Sequence, residues 1–405
     1  MFWRVASKLV SVQTLSDSPR PQAASELSLI RGGLFYRAQR ATRIIRTDKW
    51  NPVRRLAVAI GIGWLPLVAL TSVFHPAALS SLLRDYRVYS RMLIAVPVLL
   101  LGEALIESQF RMVIDHITSA DLLDAHDLAL MHDALDLLIR LRDSAFPELI
   151  IVALLIVHSV TSTASQLDLT PWLATAAGHS LHLTPEGWYA IVASATIYQF
   201  LLGLGLWRWI LWSIFAFRLS RLNLKLAPTH PDLNGGLGFL GMTPIGLAPV
   251  VLAAAAVIGA TWRHEILSQH QALLAFRLPA IILAVIVVAI AFGPLVFFVP
   301  RLAILRHSGL LEYGLLAQLH SRAMQEKWID SSSTSESKLP VSAPEISILV
   351  GFSRAYDRIE RLNPIPTDKV ALAALVLCVL VPMVPTVLAA VPLKVVLKVL
   401  YEALR

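Results

Sequence analysis

Seven long apolar stretches lie between Leu56 and Leu393, and five of them contain no charged side chain: Leu56 to Phe74, Leu149 to Gln166, Met242 to Thr261, Leu278 to Val299 and Val370 to Leu393. The other two carry one charge each, Glu103 within Met92 to Ile106 and Arg208 within Trp188 to Phe217. A helix needs roughly 18 or more apolar residues to cross about 30 Å of hydrocarbon, so the runs predict a chain that lives in lipid. With no water to satisfy backbone amides there, each run is expected to be a helix, and the alternating pattern of a barrel strand is absent. The predicted class is all-α: a polytopic membrane protein with about seven transmembrane helices and amphipathic helices on the cytoplasmic side. Composition agrees. Only 15% of residues are charged, against about 25% in a typical soluble domain.

A net charge of +8 invites a nucleic-acid reading, which the placement of the charges opposes. Lys and Arg number eleven before Leu56, three in Ser108 to Glu148, three in Arg218 to Met242 and nine in Arg301 to Lys369, whereas the alternate loops hold five in all. An imbalance of 26 to five that alternates with the apolar runs is the positive-inside pattern, and it predicts a cytoplasmic N-terminus. No secretory leader is apparent at the start, so a bacterial inner membrane is the expected location. Pro382, Pro385 and Pro392 in the last run leave two readings for it, a full crossing or a kinked, re-entrant segment. Cys378 is the single cysteine, which excludes an intramolecular disulfide.

The organisation expected from these features has four parts. Residues 1–55 form a basic amphipathic leader, in which Arg31, Arg37, Arg40, Arg43, Arg46, Arg54 and Arg55 alternate with apolar residues and favour anionic lipid headgroups. Residues 56–300 hold the first six membrane helices, interrupted by a cytoplasmic helical hairpin at 108–146. Residues 301–368 form a second cytoplasmic helical segment with a serine-rich loop, and 369–405 the last membrane helix and its tail. The first three membrane helices and the last three could form a faint parallel repeat. A homo-oligomer is expected, and no nucleic acid, metal or other cofactor. His132 and Asp136 in the acidic segment stand four apart on a helix, yet match no ligand signature.

Two places could carry function. Inside the bilayer the polar residues are few, and Glu103, His158, Tyr198, Gln199 and Arg208 become candidates because an ionisable or polar group at depth faces a partner or water. Glu103 and Arg208 could pair if the fourth helix tilts. The favoured reading for Arg208 is different: Trp207, Trp209 and Trp212 around it suggest an interfacial aromatic belt through which it snorkels.

The second place is the stretch PTHPDLNGGLGFLGMTP between the fourth and fifth helices, with His230, Asp232, Gly235, Gly236, Gly238 and Gly241. Glycines running into a helix, with Thr243 as cap and Pro244 as first residue, would aim backbone amides at one point and could hold an anion. The favoured reading is structural: a turn or close helix packing through small residues, which His230 and Asp232 pin at the membrane surface. His230, Pro231 and Asp232 spell HPD, which resembles the loop of a J domain. That family places HPD between two soluble helices, whereas both neighbours here are apolar, so the J-domain reading is rejected. No nucleophile, paired intramembrane aspartates or metalloprotease motif supports an enzyme. The leading expectation is a channel or transporter, weakly anion-preferring, and the alternative is a non-conducting scaffold or sensor that binds a partner through its cytoplasmic segments.

Overall fold

The computed structural model describes residues 28–44, 52–163, 172–177, 180–328 and 343–390. Eleven helices account for most of them: α1 (Gly33–Ala41), α2 (Pro52–Phe74), α3 (Tyr86–Ser119), α4 (Ala125–Asp143), α5 (Phe146–Thr163), α6 (Pro185–Arg221), α7 (Ala248–Ser268), α8 (Arg277–Phe292), α9 (Val299–Trp328), α10 (Ala343–Glu360) and α11 (Lys369–Ala390). The described residues of all seven apolar runs are helical, mainly as α2, α3, α5, α6, α7, α8 and α11. Among the described residues six helical stretches are long and apolar enough to cross a bilayer, and α5 holds a shorter apolar helix. The protein is an all-α helical membrane protein. One departure is an antiparallel hairpin, β1 (Ala174–Ala177) with β2 (Ser180–Leu183), in the connection between α5 and α6.

Several boundaries differ from the sequence expectation, each for a local physical reason. The second membrane helix does not stop at Ile106 to begin a separate hairpin at Ser108; α3 runs unbroken for 34 residues, about 51 Å. Its extension is held because Phe110, Val113, Ile114 and Ile117 are buried against the bundle. Both α3 and α6 contain a π-helical turn, at Ser90–Ala95 and Ala190–Ala195, and Pro97 follows the first. The fifth membrane helix does not start with Thr243 as its cap. A 3₁₀ stretch, Gly238–Leu247, absorbs Pro244, the Thr243 hydroxyl donates to the Leu240 carbonyl, and α7 takes Pro249 in its first turn.

The last run is one continuous helix through Pro382 and Pro385. Asp368 caps it by accepting from the Val370 and Ala371 amides. It runs beside the 3₁₀ stretch and α7: Gly241 meets the backbone of Pro366 to Asp368 just before α11, Gly259 lies beside the Pro382 carbonyl, and Thr386 donates to the Gly259 carbonyl at 2.8 Å. The full-length contact fits a crossing and not a re-entrant loop. It also counts against the faint repeat, because α2 and α5 share no comparable interface.

On the side where the N-terminal segment lies, α4, α9, α10 and the loop from Leu222 to Leu237 form a helical layer outside the bundle. Lys225 ties that loop to the α3–α4 turn through Asp121 and Asp124, at 3.2 and 2.9 Å, so part of the acidic segment is paired and not merely solvated. The core is packed around Met92, Val96, Leu100, Phe110, Leu211, Phe215, Leu240 and Phe298.

Candidate functional site

Arg55, Glu103 and Arg208 meet inside the bundle. Glu103 comes from the middle of α3, Arg208 from two-thirds of the way along α6, and Arg55 from the first turn of α2. The three residues are 2%, 9% and 5% exposed, so they form a desolvated ion cluster and not a surface network. Arg55 grips the carboxylate at both oxygens, Nη1 to Oε2 at 2.5 Å and Nη2 to Oε1 at 3.2 Å, while Arg208 Nη1 reaches Oε1 at 2.9 Å. Two guanidiniums on one buried carboxylate fix the relative height and rotation of three membrane helices.

Two sequence readings are corrected here. Arg208 does not snorkel. Trp209 and Trp212 are buried in the core, with the Trp209 indole donating to the Ile290 carbonyl at 2.8 Å and Trp212 packed edge-on to Phe110. They are therefore no lipid-facing belt. Arg55 is not part of a lipid-bound leader, since α2 starts three residues before it and carries it inward. The missed signal was Pro52, a favoured first helical residue that places Arg55 one turn inside the helix.

Above this cluster lies the N-terminal segment. The Leu29 amide donates to Glu107 Oε2 at 2.9 Å, Arg142 donates to the Ser28 carbonyl, and the first turn of α1 is capped by Glu148, which accepts from the Phe35 amide at 2.8 Å and from the Leu34 amide. Phe35 packs edge-on to Phe200 of α6. Carboxylates of α3 and α5 thus satisfy the backbone of a segment that composition assigns to lipid headgroups. Between the segment and the bundle lies a small cleft lined by Leu29, Gln39, Trp207, Arg55, Arg208 and Glu148 among others.

The other intramembrane candidates stand apart from the cluster. Tyr198 is buried on α6 ten residues before Arg208, about 15 Å along the axis. Gln199 points to the next, half-buried face, and His158 is exposed on α5. No three metal-ligating side chains come together among the described residues.

The glycine-rich loop does collect backbone amides, but the chain supplies its own anion. The Asp232 carboxylate accepts from the amides of Asn234 (2.9 Å), Gly236 (3.1 Å) and Gly238 (2.8 Å), and the His230 Nδ1 lies 2.8 Å from Oδ1. Leu233, Gly235 and Gly236 take positive φ to turn the chain around it, and the Asn363 amide donates to the Leu233 carbonyl. The amides that could have met an outside anion are taken by Asp232, and these contacts are those of the pinned turn that the sequence reading favoured. Burial pushes the Asp232 carboxyl up, but the amides of Asn234, Gly238 and Gly236 with His230 outweigh it and hold the group below the usual carboxylate range.

A folded-state value below the unfolded one means that the stabilisation is complete above the carboxylate range and is lost as pH falls through it. Asp232→Asn is therefore expected to lower the unfolding midpoint at neutral pH and to flatten the acid limb relative to the wild-type chain. Asp232→Ala leaves three amides short of a partner and is expected to cost about 1–3 kcal/mol, read by thermal unfolding in detergent.

Comparison of the chain with protein-family models, with curated proteins and with solved structures finds no match.

Proposed function

We propose that this membrane protein is a non-conducting scaffold or sensor that presents a helical layer on its N-terminal side to a protein partner. The observation that carries the reading is a ridge on α9. Ile304, Leu311, Leu315 and Leu319 are 55–67% exposed and recur at helical spacing on one face. The helical stretch that contains α8 and α9 is 54 residues long, far more than the roughly 20 needed to cross about 30 Å of hydrocarbon, and its apolar run is confined to the part before α9, so we take its second half to leave the bilayer and carry the leucines with it. The opposite face of α9 is already used, with Gly309 and Gly314 against Ile359 and Tyr356 of α10. A contiguous apolar ridge outside lipid marks an interaction surface. The positive-inside count supports placing this layer in the cytoplasm of a bacterial cell, with Arg-rich segments near anionic headgroups.

Transport is the second reading. It is favoured by one observation, the cleft that reaches the ion cluster at Arg55 and Arg208. Against it stands the packed core between the two faces. Vesicles reconstituted with the purified chain are expected to release chloride no faster than empty ones; a protein-dependent flux abolished by Arg208→Gln would replace the scaffold reading with this one. A photoreactive residue at Leu315 is expected to give a discrete protein adduct in intact cells, while one at Val285, on the exposed face of α8, gives lipid. Lipid adducts at both positions would mean that α9 lies on the membrane and would remove the basis for a partner surface.

A further inference from the structure

At the end of the bundle opposite the N-terminal segment, one polar pair ties α2 to α6. Glu186, the second residue of α6, is wholly buried, and its Oε1 lies 2.6 Å from Nδ1 of His75, the residue after the end of α2. The His75 side chain is 39% exposed, so a proton on the pair can leave directly into water. The other carboxylate oxygen, Oε2, is shut off from solvent without a hydrogen bond. So is the indole nitrogen of Trp172, which packs with Leu67, Leu82, Val88 and Ala190 in a small apolar cluster of its own.

The first turn of α6 favours a negative charge on Glu186 through its dipole, and Thr184 caps that turn by accepting from the Gly187 amide at 3.0 Å. A carboxylate removed from water, with an imidazole as its partner, is tolerated while the two groups hold a proton between them. Once that proton is gone, a bare charge is left buried. Opening this corner would hydrate Glu186 and the Trp172 indole, which offsets part of the apolar burial lost. The π-helical turn Ala190–Ala195 sets the piece Pro185–Tyr189 off from the rest of α6 and gives it a place to bend. Among the described residues, the ionisable groups on the elements packed around the pair are His182 on β2, Tyr189, whose hydroxyl donates to the Ile62 carbonyl, and Arg84, Asp85, Tyr86, Arg87 and Tyr89 at the start of α3, where Arg87 closes on Asp85 at 3.0 Å.

We infer that His75 and Glu186 are a pH-sensitive latch, which holds the hairpin and the start of α6 closed while the pair carries a proton and releases them when alkaline pH removes it. The latch stands apart from the partner surface on α9, so the two fail separately.

The test uses the full chain in detergent with Cys378→Ala and Leu173→Cys. Leu173 is 7% exposed and its carbonyl accepts from the Thr184 amide, so labelling of a thiol there reports opening. Rates are taken as a ratio to the same chain with Glu186→Gln, which cancels the thiol's own pH dependence. From about pH 6 to about pH 9, which brackets ordinary imidazole titration, the ratio is expected to rise at least about tenfold. His75→Gln cannot hold the proton and is expected to give the high ratio at both ends of the range. A ratio that stays flat with His75 present overturns the latch. So does a ratio that still rises in His75→Gln, which would assign the response to His182 or another group. Should Glu186→Gln fail to fold, hydrogen exchange of the Thr184 to Trp188 amides, corrected for intrinsic exchange and compared between the wild-type chain and His75→Gln, makes the same distinction.

Discussion

Glu103→Ala is expected to be the most damaging single substitution in the bilayer region, at about 3–5 kcal/mol, because it strands two buried guanidiniums without a counter-charge. Glu103→Gln keeps the shape and some hydrogen bonding but not the charge, and should fall between the two. The informative companion is the triple replacement Arg55→Met, Glu103→Leu and Arg208→Met. Apolar side chains of similar volume remove the desolvation cost together with the attraction, so this chain is expected to unfold within a few degrees of wild type. If the triple variant is as unstable as Glu103→Ala, the cluster does more than neutralise itself and the lining of the cleft becomes the reason for its presence. Unfolding midpoints in one detergent separate these outcomes.

Gly102→Leu is expected to be similarly severe through a different cause. A Cβ at Gly102 would sit 2.2 Å from Cβ and 2.4 Å from Cγ of Pro249, where α3 and α7 touch. A proline ring near its own helix start cannot swing aside as a flexible side chain would, so the helices themselves must part. Overpacking of this kind costs about 1–3 kcal/mol and more where the backbone has to move. Separation here would also strain the bond from the Ser90 hydroxyl to the Ala256 carbonyl, which joins the same two helices at 2.6 Å. Gly61→Ala on α2 is the matched control. Nothing lies within 4 Å of a Cβ there, and replacing a helical glycine by alanine should stabilise by about 0.5–1 kcal/mol. Expression and monodispersity of the two variants give the first readout, and a stable, monodisperse Gly102→Leu chain would show that α3 and α7 are not in this contact.

The apolar runs were legible because lipid imposes one requirement on every residue of a crossing, and all seven became helices. What the runs could not convey was where helices begin and end. Arg55 looked like leader because the count of apolar residues starts at Leu56, whereas the helix starts where Pro52 lets it start. The Trp residues near Arg208 looked like a belt because a helix with apolar residues all round gives no clue to which face is inside; α6 has an almost even distribution, and neighbours decide its orientation. The Asp232 loop was readable as a collection of amides, but whether the nearby carboxylate or an outside anion fills it depends on the positive φ at Leu233, a non-glycine residue whose conformation composition does not announce. The β-hairpin before α6 is four residues a strand, too short for alternation to stand out.

The pairing of α11 with α7 bears on how the chain is made. Helices leave the ribosome in order, and α8, α9 and α10 are synthesised between these two partners. Until α11 emerges, the small-residue flank of α7 at Gly259 has only lipid or a chaperone against it, and the carbonyl that Thr386 will engage waits for its donor. The seam between α7 and α11 therefore closes only after the three intervening helices have been made, and a message cut short before Lys369 would yield a polypeptide that reaches the membrane but offers quality-control proteases an unclosed seam.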